Sequence, residues 1–223
     1  MNYTNTGLAA LFLQSSLVDS IQDYNRSLAI SNFQHWDAVI LTASNEFQAC
    51  GYQKQIDYRK YLNILPSSTE FIIVPDEGNK RVGSAGSPLS VIRSLKEKYD
   101  LLDDKRFLVI HAGGNSSRCP QYSALGKLFA PLPTMINGIP ATLFDMFMVT
   151  MASIPGRMKE GMLLLSGDVT LLFNPLQCDF GSSKAAVISF KEDVETSKKY
   201  DDKNATSVVE QFGFKIDGYT GYK

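Results

Sequence analysis

What this chain has little of limits its function before any motif is read. Its 223 residues hold three cysteines, Cys50, Cys119 and Cys178, an odd and widely spaced set that forms neither a disulfide framework nor a zinc-ligand pattern. They read as packed or incidental thiols in a reducing compartment. With only His35 and His111, no metal-binding histidine cluster and no nucleophilic triad can be assembled, and His111, at the end of an apolar run, reads as a packed, hydrogen-bonded side chain. Charge of one sign is also missing. Lys and Arg number 22 against 23 Asp and Glu, with no block of either, so there is no electrostatic footprint for nucleic acid or an anionic membrane. No apolar run approaches the roughly 18 residues of a membrane-spanning helix. The N-terminus, MNYTNTGLAALFLQSS, lacks the basic start of a secretory signal. These absences predict a cytoplasmic protein that meets its partners through a local site, with neither nucleic acid nor membrane among them. Repeats, low-complexity segments and Pro/Gly-rich linkers are absent too, so residues 1–223 are expected to form one domain.

What is present is an alternation of strand-like and helix-like segments. Leu8 to about Ile30 has apolar residues at helical spacing, and WDAVILTAS (Trp36–Ser44) is a short continuous apolar run of strand type. EFQACGYQKQIDYRKYLNIL reads as a helix that Pro66 closes, and TEFIIVPD (Thr69–Asp76) as a second strand. PLSVIRSLKEKYDLL predicts a helix with Pro88 in its first turn. RFLVIHA follows as a strand, ATLFDMFMVTMASI as a helix, and GMLLLSGD and KAAVISF as further strands. Strands apolar throughout and separated by helices predict an α/β fold, a Rossmann-like mostly parallel sheet with helices on both faces. Ligands of such sheets sit beyond the carboxyl ends of the strands.

Three segments after strands are richer than a connection requires. In HAGGNSSRCPQYSALGK, Gly113 and Gly114 let backbone N–H groups approach an anion closely, and Arg118 and Lys127 offer a planar fork and a mobile point charge. Together they describe a phosphate cradle, against the plainer reading of a surface turn with solvated cations. It is not a Walker A loop, because Gly126-Lys127 runs into Leu128, and the dinucleotide fingerprint fails for want of later glycines. In KRVGSAGSPLSVIR, Gly83, Ser84, Gly86 and Ser87 stand just before a helix start, where free N–H groups favour an anion; a helix-entry turn capped by Ser87 explains them equally. In LLLSGDVTLLFNP, the strand end Gly167-Asp168 puts one carboxylate at the rim of the sheet, as a Mg²⁺ ligand or as a turn former.

HAGGNSSRCPQYSALGKLFAPLP resembles the signature loop of the fucose-1-phosphate guanylyltransferases, including the guanylyltransferase half of bifunctional fucokinase enzymes. RVGSAGSPLSVIR resembles that family's Gly-Ser-Gly-Gly loop, LLLSGDV its Gly-Asp strand end, and WDAVILTASNEFQACGYQKQI its first strand and helix. The matches keep the family's order across about residues 36–180. The resemblance implies a sugar-nucleotidyltransferase fold and a reaction of GTP with L-fucose 1-phosphate giving GDP-fucose and pyrophosphate. Gly113, Gly114, Ser116 and Arg118 would cradle the triphosphate, Lys127 would contact phosphate during transfer, Gly83 to Ser87 would help hold the nucleotide, and Asp168 would ligate Mg²⁺. Two departures stand out: Ala85-Gly86-Ser87-Pro88 where the family has Gly-Gly, a small residue and Thr, and Gln211 where the family has His. The family also continues past the point corresponding to Lys223, so the resemblance implies an N-terminal fragment with further domains to follow. Alternatives are a nucleotide-binding remnant without catalysis, or a sugar nucleotidyltransferase using another base or sugar.

Overall fold

A computed structural model describes residues 3–76, 83–112, 120–122, 126–167, 171–173 and 175–180. The chain divides into two compact units, Met1–Asp179 and Phe180–Lys223, and the elements described belong to the first. They run in the order α1 (Tyr3–Ala29), β1 (Ala38–Ala43), α2 (Glu46–Tyr61), β2 (Glu70–Pro75), α3 (Gly83–Lys98), β3 (Arg106–His111), β4 (Pro131–Ile136), β5 (Ile139–Thr142), α4 (Leu143–Thr150) and β6 (Gly161–Ser166). No described helix is long and apolar enough to cross a membrane.

The apolar runs form the sheet that their composition predicts. Four strands lie in the order β2-β1-β3-β6, all parallel, with Val39 opposite Phe71 on one side and Leu108 on the other. The chain steps one way from β1 to β2, then back past β1 to β3. Because such crossovers are right-handed, α2 and α3 fall on opposite faces. Side-chain contacts agree. Ala38, Ile40, Phe107 and Val109 pack with Val91 and Leu95 of α3. Phe71, pointing the other way, meets Lys60 of α2 and Phe144 of α4. α1 packs on α4, and the buried Trp36 donates its indole N–H to Met151 O at 3.1 Å.

Three expectations need correction. α3 begins at Gly83, so Gly83 to Ser87 are its opening residues and not a loop, and Pro88 lies inside the helix rather than in its first turn. A proline there cannot donate to the carbonyl of Ser84, so the ladder lacks that bond. The helix expected over 141–154 is shorter: Thr142 caps it through a reciprocal bond pair with Asp145, and regular helix stops at Thr150. The antiparallel β4–β5 hairpin was not anticipated; Asn137 (φ 52°) and Gly138 (φ 80°) turn it with the left-handed pair that favours Asn-Gly. KAAVISF, expected as a strand, lies outside the described residues. Cys50 is exposed and Cys178 half-buried, both as free thiols.

Candidate functional site at the carboxyl edge of the sheet

The reversal of direction between β1 and β3 makes a topological switch point, where the connections leaving the two strands part and open a crevice. Thr42 ties the two strand ends together by accepting the Ala112 N–H at 3.2 Å. β1 passes through Ser44 to Asn45, whose side chain caps α2 by accepting the Gln48 N–H at 2.8 Å. Gln48, 1% exposed, turns back toward the strand end: its Oε1 accepts the Ser44 N–H at 2.8 Å and the Ser44 hydroxyl at 3.2 Å. One turn on, the Tyr52 hydroxyl donates to Ala112 O at 3.4 Å, and burial pushes the phenol's pKa well above its usual range.

Against this wall lies Gly126. A Cβ on it would collide with the Tyr52 hydroxyl and come within 2.7 Å of Gln48 Nε2, and its φ of +75° is one that side-chain-bearing residues rarely adopt. Glycine is therefore required on two counts, and it sets the direction in which the chain enters Lys127. The segment beyond is anchored as well. Leu128 is buried and its carbonyl accepts the Phe144 N–H at 3.0 Å. The Phe129 ring lies edge-on to Tyr52 with the Arg59 guanidinium 5.0 Å over it. Arg59 in turn makes a fork with Asp145 at 2.6 and 2.8 Å.

The end of β3 gathers two more predicted segments. Ser87 Oγ lies 3.2 Å from His111 Nδ1, so this serine faces the strand end instead of capping its helix. Burial holds the His111 pKa below the ordinary histidine value. Gly167 donates to His111 O at 2.9 Å; a Cβ there would sit 2.6 Å from that oxygen and 2.9 Å from Ala112 Cα. Both neighbours are backbone, so neither can swing aside. Gly167→Ala is therefore expected to cost about 1–3 kcal/mol by overpacking, read as a lower midpoint in urea. An unchanged midpoint would show that β3 and β6 separate freely.

Of the residues singled out in sequence, Lys127 and Ser87 are placed at this edge, and Gly83, Ser84 and Gly86 in the opening turns of α3. Gly113, Gly114, Ser116, Arg118 and Asp168 lie outside the described residues, although Ala112 and Gly167, the residues directly before Gly113 and Asp168, are in contact range of one another. Among the described residues no group of three or more His, Cys, Asp or Glu is placed to hold a metal. Sequence reasoning missed Thr42, Ser44, Gln48 and Tyr52. Their signal was slight: polar residues on the inner face of a helix and at a strand end.

Residues 99–200 match the fucose pyrophosphorylase domain family. The chain is 28% identical to the bifunctional fucokinase/GDP-fucose pyrophosphorylase of Arabidopsis thaliana, over 69% of this chain and 17% of that protein. It is 29% identical to the fucose-1-phosphate guanylyltransferases of Mus musculus (67% of this chain, 25% of that protein) and Homo sapiens (70% and 25%). The chain thus spans a quarter or less of these relatives' length. No solved structure matches it.

Proposed function

We propose, from the match of residues 99–200 to the fucose pyrophosphorylase domain family, that the chain transfers a guanylyl group from GTP to L-fucose 1-phosphate in the cytoplasm, forming GDP-fucose and pyrophosphate. The observation that carries the reading is the switch point itself. The connection bearing Gly113, Gly114, Ser116 and Arg118 starts at Ala112 there, and it returns to the same wall at Gly126-Lys127.

In this reaction a sugar-phosphate oxygen attacks the α-phosphorus of GTP, a P–O bond forms, and the bond to the β-phosphate oxygen breaks with its electron pair leaving on pyrophosphate. No protein nucleophile is required. The work left to the chain is to hold two anionic substrates in line and to offset the charge that gathers on the phosphates. Backbone N–H groups at Gly113, Gly114 and Ser116 orient the triphosphate, while Arg118 and Lys127 neutralise it. Gly126, locked against Gln48 and Tyr52, supports this by fixing where the Lys127 backbone lies. Gly83, Ser84, Gly86 and Ser87 add the N-terminal turns of α3 beside the end of β3. Mg²⁺ is commonly held by one or two carboxylates together with substrate phosphates. Asp168 is the residue that would hold it. A Mg²⁺ held there would supply positive charge that offsets the phosphates and would ease the departure of pyrophosphate.

The test is thermal denaturation of the chain with GTP, ATP, UTP and CTP, each with and without Mg²⁺, followed by pyrophosphate release with L-fucose 1-phosphate. GTP at about 100 times its dissociation constant is expected to stabilise the fold by roughly 2.7 kcal/mol, in a Mg²⁺-dependent manner. A larger shift with another nucleotide would reassign the base. Mg²⁺-dependent binding without pyrophosphate release would mark a remnant, and a flat response to all four in a cooperative melt would overturn the nucleotide site.

A further inference from the structure

Gln48 carries the one unsatisfied polar atom among the buried described side chains: its Nε2 has no hydrogen-bond partner. The orientation of the amide is settled by its neighbours. Oε1 faces two donors, the Ser44 N–H and hydroxyl, so the other end of the group must be the NH₂. That end looks toward Gly126, at the one position on the opposing segment where only hydrogen fits. Buried donors are almost always paired, and an unpaired one calls for a reason. Here the donor stands at the switch point, one turn into α2, on the wall that also sets the approach to Lys127.

Resting on the nucleotide-binding reading above, we infer that Gln48 is a nucleotide-recognition residue whose Nε2 donates to an oxygen acceptor of the bound nucleotide. A phosphate oxygen and the carbonyl oxygen of guanine offer the same chemistry to an amide N–H. The geometry also explains why Ser44 spends two donors on one oxygen. Those bonds stop the amide from flipping and keep the NH₂ presented. Tyr52, held by Ala112 O, lies against the same Gly126.

The experiment is calorimetric titration of GTP, ATP and inorganic pyrophosphate, each with Mg²⁺, into the wild-type chain, Gln48→Glu and Gln48→Met, each well below its own melting temperature. Gln48→Glu keeps the oxygen that Ser44 needs and removes the donor; Gln48→Met removes both without adding charge. The expected result is GTP binding weakened about tenfold or more in both variants, as for a ligand oxygen that loses its buried partner. Equal weakening for all three ligands assigns the acceptor to a phosphate. Weakening for GTP alone assigns it to the base, since adenine carries an amino group where guanine has its oxygen. A role confined to bracing α2 would lower the melting temperature and leave every dissociation constant unchanged, which would overturn the inference. So would loss of binding in the Glu variant alone, because that pattern reports its added charge. Wild-type chain that binds none of the three would overturn the nucleotide reading itself, and the role of Gln48 with it.

Discussion

Arg59→Met is expected to destabilise the fold by about 3–5 kcal/mol, because it strands the Asp145 carboxylate in the interior. The two side chains are 2% and 8% exposed, and their fork is braced from every side. Arg59 Nη1 donates to Gln55 at its backbone O and its Oε1, Nη2 reaches Thr142 Oγ1 at 3.2 Å, and the guanidinium lies over both Phe129 and Phe144. Methionine fills much of the same volume but supplies none of these donors. In a chain of this size each kcal/mol moves the melting temperature by roughly 2–4 °C, so a fall on the order of ten degrees is expected in a thermal melt. A fall under about two degrees would mean that water reaches Asp145 and the pair is a surface one in disguise. Asp145→Leu added to Arg59→Met should recover only part of the loss. The carboxylate also accepts the Thr142 N–H at 2.8 Å and so caps α4.

Asp168→Asn is expected to act on the other axis. As the proposed Mg²⁺ ligand at the rim, its loss should lower guanylyl transfer by on the order of a hundredfold, the usual effect of removing one preorganised electrostatic contact, with the melting temperature unchanged. Turnover within about twofold of wild type would remove the metal role. Gly167→Ala supplies the contrast one residue earlier, since its Cβ meets backbone and its cost falls on stability. A result in which both variants only lose stability would make this strand end structural.

The parts of the fold that could be read from sequence were those where one residue type served one purpose. AVILTA and RFLVIH each carry a continuous run of four apolar residues because both faces are covered, and their strands lie within two residues of where that pattern places them. Gly-Ser-Ala-Gly-Ser before Pro88 misled. Glycines are weak helix formers and proline favours a first turn, yet packing of Val91 and Leu95 onto the sheet carries the helix back through them. The hairpin carried a recognisable Asn137-Gly138 signal that the prolines at 131, 133 and 140 obscured. Gly113, Gly114, Ser116, Arg118 and Asp168, proposed from motif chemistry, lie outside the described residues, while Lys127 directly follows Gly126 at the strand-end wall. Gln48 and Tyr52 were not, because on a helix they look like any polar residue facing solvent; what sets them apart is burial, which depends on Ala112 and Gly126 far along the chain. For the same reason no spacing rule joins Arg59 to Asp145.

That last separation also has a meaning in time. Arg59 and Asp145 are 86 positions apart, so on a ribosome adding about 5–20 residues per second the arginine emerges roughly 4–17 s before its carboxylate exists. The buried fork between α2 and α4 can therefore form only after α4 has been made, whatever α2 has packed against in the meantime.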